Sequence, residues 1–173
     1  MPLSALPIAV NGERITAIVI GGGTVASRKA LALLESGARV RVIAPEISGE
    51  LIACASRNAR LFLAQREYAG TADLEDADLV IAATSSPDLN RKIAEDARRL
   101  HRLVNDVSDG TDGTFTSMAL HRAGRLTIGV SAGGVPTEAA RVRDEIARMF
   151  DSEYASALET LASARRNSKE ARA

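Results

Sequence analysis

An α/β fold built on a doubly wound parallel sheet is what the sequence predicts, on three observations. Short apolar runs rich in β-branched residues alternate with segments of helical period. The strongest of these runs is apolar at both odd and even positions, as a strand buried on both faces must be. Aromatic residues make up 3% of the chain and Trp is absent, so the core has to be aliphatic, which suits helices packed on a buried sheet.

The elements follow in order. Residues 7–10 are a short apolar start, and Asn11-Gly12 signals a two-residue turn. Residues 15–20 form the first strand and end at Gly21-Gly22-Gly23. Residues 25–36 have helical period, with Ala26, Ala30, Leu33 and Leu34 on one stripe and Gly37 closing the helix. Residues 40–44 are a second strand, stopped by Pro45. A helix over 48–57, a short strand over 61–64, an acidic loop and a strand over 79–84 come next. Pro87 opens a helix over 87–99, and residues 103–105 are a further strand. Beyond residue 110 the character changes. β-like runs at 115–120 and 126–130 flank a turn at Arg122-Ala123-Gly124, and a second glycine-rich loop spans 132–136. Helical period then runs from 137 to 166, interrupted near Asp151, and the last seven residues are expected to fray.

Composition bounds the partners. The 173 residues carry 22 basic and 22 acidic side chains, a formal net charge of zero. Such a balance does not mark nucleic acid or an anionic membrane as the main partner. The basic run at 91–102 and the acidic run at 67–78 read as solvated faces and loops. Cys54 has no second cysteine to pair with and reads as a passive thiol. No secretory leader and no run of bilayer-spanning length is present, so a cytoplasmic location is expected. His101 and His121 are the two histidines and lack ligand spacing, so no metal site is expected.

Gly21-x-Gly23-x-x-Ala26 follows the first strand and opens the first helix. In that context it matches the dinucleotide fingerprint of a Rossmann-like fold. Gly21 permits the tight turn out of the strand, Gly23 lets the backbone approach a pyrophosphate, and Ala26 lets the helix sit close to the sheet. Thr24 and Val25 complete the loop, whose helix N-terminus offers unpaired N–H groups to phosphate. The expected cofactor is NAD. The fingerprint's acidic residue is displaced: Ala44-Pro45 ends the second strand, and the first acid is Glu46. Arg41 is a possible 2′-phosphate partner, but it sits inside the strand, and a strand-face charge is the stronger reading. Thr84-Ser85-Ser86 follows the fourth strand and is expected both to border the cofactor and to supply the N-cap of the next helix. Asn105-Asp106-Val107-Ser108-Asp109 follows the fifth strand, on the same sheet edge, and offers candidate acid–base groups.

Several blocks together carry a family resemblance. They are Leu6-Pro7-Ile8, residues 19–30 including Arg28-Lys29-Ala30, residues 79–84 with Leu89-Asn90, Val104-Asn105, and residues 126–134. Over about residues 5–148 the chain resembles precorrin-2 dehydrogenase, the stand-alone form of the siroheme synthase N-terminal module. The resemblance implies NAD-dependent oxidation of precorrin-2, a tetrapyrrole, to sirohydrochlorin, and in some members iron insertion as well. It implies a homodimer formed through the segment after the Rossmann-like domain. It also implies cofactor contacts at Gly21, Gly22, Gly23, Thr24, Val25, Ala26, Pro45, Glu46, Thr84 and Ser85. The expected division is therefore 1–113 for NAD binding, 114–148 for dimerisation, and 149–173 as a helical tail. The family's essential aspartate falls on Ser108 here. Asp109 is its neighbour and Asp106 precedes it by two, so the catalytic candidates are Asp109 first, then Asp106 and Ser108. Arg28, Lys29 and Arg141 are candidates for substrate carboxylates, although surface solvation is the stronger reading of each. Two other readings stay open: a sirohydrochlorin chelatase or tetrapyrrole-binding protein without dehydrogenase activity, and a non-catalytic NAD-binding regulatory partner.

Overall fold

The computed structural model describes residues 6–108 and 112–170, with side chains described as far as residue 167. Two compact units divide at Thr116/Ser117. The first, from Pro7 to Thr116, holds β1 (Thr16–Ile20), α1 (Thr24–Glu35), β2 (Arg39–Ala44), α2 (Gly49–Ala55), β3 (Leu61–Gln65), β4 (Leu79–Ala82), α3 (Pro87–Arg99) and β5 (Leu103–Asp106). The five strands form one sheet in the order β3-β2-β1-β4-β5. Every pairing is parallel, from Val40 opposite Leu61 to Ala82 opposite Asp106. The chain winds outward from β1 to β3, then returns to place β4 on the other side of β1. The gap between the carboxyl ends of β1 and β4 is thus the point where the winding reverses.

The sheet is buried on both faces. Ala17, Val19, Val40, Val42 and Ile81 pack with Ala26, Ala30 and Leu34 of α1. Ile18, Ile20, Ile43, Val80 and Val104 pack with Ile93, Ala94 and Ala97 of α3. Adjacent residues of one strand thus serve opposite cores, which explains why β1 shows no alternation.

Local chemistry sets the helix ends. At the end of α1 the Gly37 N–H donates to the Leu34 carbonyl and the Ala38 N–H to that of Leu33, a Schellman closure. Ser48 caps α2 through Leu51 N–H, and Ser86 caps α3 through Leu89 N–H, with Pro87 at the first turn.

Two local expectations are corrected. The turn signalled by Asn11-Gly12 is present, but as a 3-10 turn rather than a two-residue one, because β1 finds both partners in parallel strands. The Asn11 side chain accepts from Glu13 N–H and caps this turn over Gly12–Arg14. The run at 115–120 is not a strand from its start. Thr114 and Phe115 N–H groups both donate to the Val104 carbonyl, which holds this stretch against β5. Strand β6 begins at Ala119 and runs to Ala123. It pairs antiparallel with β7 (Leu126–Val130), and the turn is Gly124-Arg125, one step later than the sequence suggested.

The second unit also contains α4 (Pro136–Met149) and α5 (Ser152–Glu170). His121 Nε2 meets the Phe150 carbonyl, Arg125 pairs with Glu159, and the Phe150 and Tyr154 rings meet edge to face. Among its described residues the buried apolar side chains are Ala123 and Ala139, while Leu120, Val135, Met149, Tyr154 and Leu161 are exposed.

Candidate functional site

The glycine loop is shaped by its neighbours. Gly21 has φ +125°, and a Cβ there would lie 2.2 Å from the Ala83 carbonyl oxygen. The loops leaving β1 and β4 are therefore in backbone contact. A Cβ on Gly22 would lie 2.0 Å from the Glu46 carbonyl oxygen, so this glycine is required by close approach. Gly23 differs: nothing lies within 4 Å of a Cβ built there. It is the N-cap of α1, it makes no side-chain capping bond, and the first turn holds no acidic residue. Ala26 is fully buried against the sheet. Ser27, also buried, bonds the Gly23 carbonyl and the Ser48 hydroxyl, linking α1 to the cap of α2. Neither the Gly22 contact nor the Ser27–Ser48 pair was signalled in the sequence, because each depends on a residue about twenty positions away.

Pro45 and Glu46 are exposed just beyond β2 and beside this loop, through the Glu46–Gly22 approach. Thr84 is half-buried and Ser85 exposed after β4. Asn90, 1% exposed, organises this corner. Its Oδ1 accepts from Thr84 N–H at 2.9 Å and from the Thr84 hydroxyl at 2.7 Å. Its Nδ2 donates to the Thr84 carbonyl at 3.2 Å and to the Ser108 hydroxyl oxygen.

The loop after β5 distinguishes two of the three catalytic candidates, Asp106 and Ser108. Ser108 is exposed at the carboxyl edge. Asp106 is 3% exposed, and its Oδ1 accepts from Ser108 N–H at 2.7 Å. Asp106 therefore shapes the loop rather than facing solvent, as an Asx turn does. Asp109 lies outside the described residues. Asn105 is buried too; its Nδ2 donates to the Phe115 carbonyl.

Other basic candidates are placed elsewhere. Arg41 projects to the α3 side of the sheet, where it bonds the Asp73 carbonyl and pairs with Asp76, and is thus a strand-face charge and not a phosphate partner. Arg141 is held by Glu138 and Glu145 on its own helix. Arg28 is exposed, and a shallow hollow of about 370 Å³ beside it is lined also by Thr24, Leu31 and Glu50. Burial, and secondarily the charge of Arg28, push the half-buried Lys29 ammonium below its ordinary range. Among the described residues no group of His, Cys, Asp and Glu is arranged to hold a metal ion.

These features suit a dinucleotide. Gly23 leaves open space at a helix N-terminus without a side-chain cap, which is the setting a pyrophosphate needs, and it stands where the winding of the sheet reverses. Comparison with known proteins agrees. The chain is 37% identical over 146 residues to a siroheme synthase from Pseudomonas putida, covering 84% of this chain and 31% of that protein. It is 36% identical over 149 residues to a siroheme synthase from Chromobacterium violaceum, covering 86% and 31%. The chain thus spans about a third of the length of these curated relatives. The solved structure "SirC, precorrin-2 dehydrogenase" superposes with a TM-score of 0.78 at 24% identity, over 93% of this chain and 79% of that one, which confirms the Rossmann-like fold. The family model NAD_binding_7, described as "Putative NAD(P)-binding", matches residues 8–119. With its glycine loop at the reversal of the sheet, the chain belongs to this NAD(P)-binding family.

Proposed function

We propose that the chain is an NAD-dependent dehydrogenase that oxidises precorrin-2 to sirohydrochlorin. The observation that carries the reading is the glycine loop at the β1/β4 reversal, with Gly23 open to a ligand and Thr84 and Ser108 on the same sheet edge. The relatives named siroheme synthase support the choice of substrate.

NAD supplies the hydride acceptor for the two-hydrogen oxidation. The N–H groups of Thr24, Val25 and Ala26 receive the pyrophosphate, and Glu46 receives the ribose hydroxyls. Thr84 and Ser85 border the nicotinamide half. Asp109 takes the proton that leaves with the hydride, Asp106 holds the loop, and Ser108 hydrogen-bonds the substrate. The chain acts as a homodimer through its second unit, whose exposed apolar residues Leu120, Val135 and Met149 join across the interface. No helix among the described residues is long and apolar enough to cross a membrane.

The test is direct. Precorrin-2 with NAD should develop the sirohydrochlorin spectrum, and Asp109→Asn should lower turnover about a hundredfold or more. Binding of NAD without any spectral change refutes the dehydrogenase. A second reading, tetrapyrrole binding or metal insertion without oxidation, is favoured by Ser108 at the edge and by burial of Asp106. Metal insertion into sirohydrochlorin in the absence of NAD would select it.

A further inference from the structure

Asn90 lies outside the glycine loop, yet it is the group on which two site loops converge. Its orientation is unambiguous. The Thr84 backbone N–H can only donate, so the atom it meets must be the amide oxygen. The nitrogen consequently faces the Thr84 carbonyl and Ser108. Both acceptor positions of the oxygen and both protons of the nitrogen are then used, which is full satisfaction for a side chain 1% exposed.

That orientation fixes the role of Ser108. The serine oxygen accepts from Asn90, so the serine proton is left to point elsewhere. Ser108 is exposed at the carboxyl edge, and its own backbone N–H is occupied by Asp106. A hydroxyl that accepts from Asn90 keeps its own proton to donate, and without an activating partner it is not a base.

We propose that Asn90 is a positioning residue. It ties the loop after β4 to the loop after β5 and holds the Ser108 hydroxyl so that its proton donates to the bound tetrapyrrole, where a substrate rich in carboxylates offers acceptors. The proposal rests on the dehydrogenase reading for its ligand. Asn90→Asp is the incisive variant. It keeps the acceptor for the Thr84 N–H and hydroxyl but has no proton to give either the Thr84 carbonyl or Ser108, whose hydroxyl must then turn inward to donate to the new carboxylate.

Three proteins are compared with the wild type: Asn90→Asp, Ser108→Ala and the double variant. Each single change should lower kcat/KM for precorrin-2 about tenfold, the scale of one lost hydrogen bond to a site ligand, while KM for NAD stays within about twofold. The double variant should fall no further than Asn90→Asp alone, since once that change has turned the Ser108 proton away from the ligand, Ser108→Ala has nothing further to remove. Multiplying effects, or an unchanged Asn90→Asp enzyme, would overturn the proposal. If the wild type binds NAD but does not turn over, the dehydrogenase reading is what fails. The side-chain amide signal of Asn90 in a proton–nitrogen spectrum then decides with sirohydrochlorin as probe. A shift on binding that disappears in Ser108→Ala supports the positioning role, and no shift on binding, or one that persists in Ser108→Ala, refutes it.

Discussion

Gly22 and Gly23 are neighbours, yet a methyl group added to each meets opposite surroundings. At Gly22 it would strike the Glu46 carbonyl, which belongs to the chain leaving β2, and the backbone must move. At Gly23 it would enter open space on a backbone with φ −81°, which alanine adopts without strain. The two substitutions should therefore separate fold from function. Gly22→Ala should lower stability by about 1–3 kcal/mol. Gly23→Ala should cost about 1 kcal/mol or less, the scale of an altered N-cap, while NAD affinity falls about tenfold or more because the methyl group occupies the approach of the pyrophosphate. Thermal unfolding and calorimetric titration of both variants measure the difference, and equal loss of NAD binding with equal loss of stability would remove the distinction. The tight turn at Gly21 was legible from the spacing. Gly22's role was not, because its contact lies across the loop after β2.

At the scale of elements, the turn over Thr71–Leu74 is locked to the chain leaving β3 by charge. Both oxygens of Asp73 meet the Arg66 guanidinium, and one also accepts from Ala69 N–H. The hydrogen bond from Arg66, aided by the bond from Ala69 N–H and by the Arg66 and Arg41 charges, outweighs burial and holds the Asp73 carboxyl below its ordinary range. Its folded pKa is thus lower than its unfolded one. The stabilisation is complete above the ordinary aspartate range and is lost as pH falls through the depressed folded value. Arg66 is half-exposed, which screens the pair. Asp73→Asn is expected to lower Tm by about 2–4 °C at neutral pH. The gap to the wild type should close on acidification. A gap that stays constant down to the acid transition would show that the ion pair contributes nothing. The sequence showed only an acidic run here. Which of its members is buried follows from where β3 ends.

At the scale of the whole molecule, the two units differ in how they bury apolar surface. The first has a continuous aliphatic core on both faces of its sheet. In the second, among the described residues, burial reaches two alanines, and large apolar side chains such as Met149 and Leu161 remain in solvent. A single chain leaves such surface uncovered, and a second copy covers it on the proposed dimer. Sedimentation velocity should show a dimer at micromolar concentration, and Val135→Glu with Met149→Glu should shift it to monomer without loss of NAD binding. A wild type that sediments as a monomer throughout would refute the dimer.

The amino-acid sequence determined what depends on neighbours along the chain. Alternating β-branched runs and helical stripes set the parallel sheet, Pro87 set the start of α3, Gly37 closed α1, and the spacing of Gly21, Gly23 and Ala26 marked the dinucleotide loop. The tertiary structure decided what depends on register between distant segments. It turned Arg41 towards Asp76, buried Asp106 under the loop it shapes, and made Asn90 the join between Thr84 and Ser108. Local signals encode preferences of a few residues' backbone and side chains. Three bonds of the buried Asn90 amide go to Thr84, six residues earlier, but the fourth, to Ser108, forms only when strands β4 and β5 lie side by side, and no stretch of sequence contains that proximity.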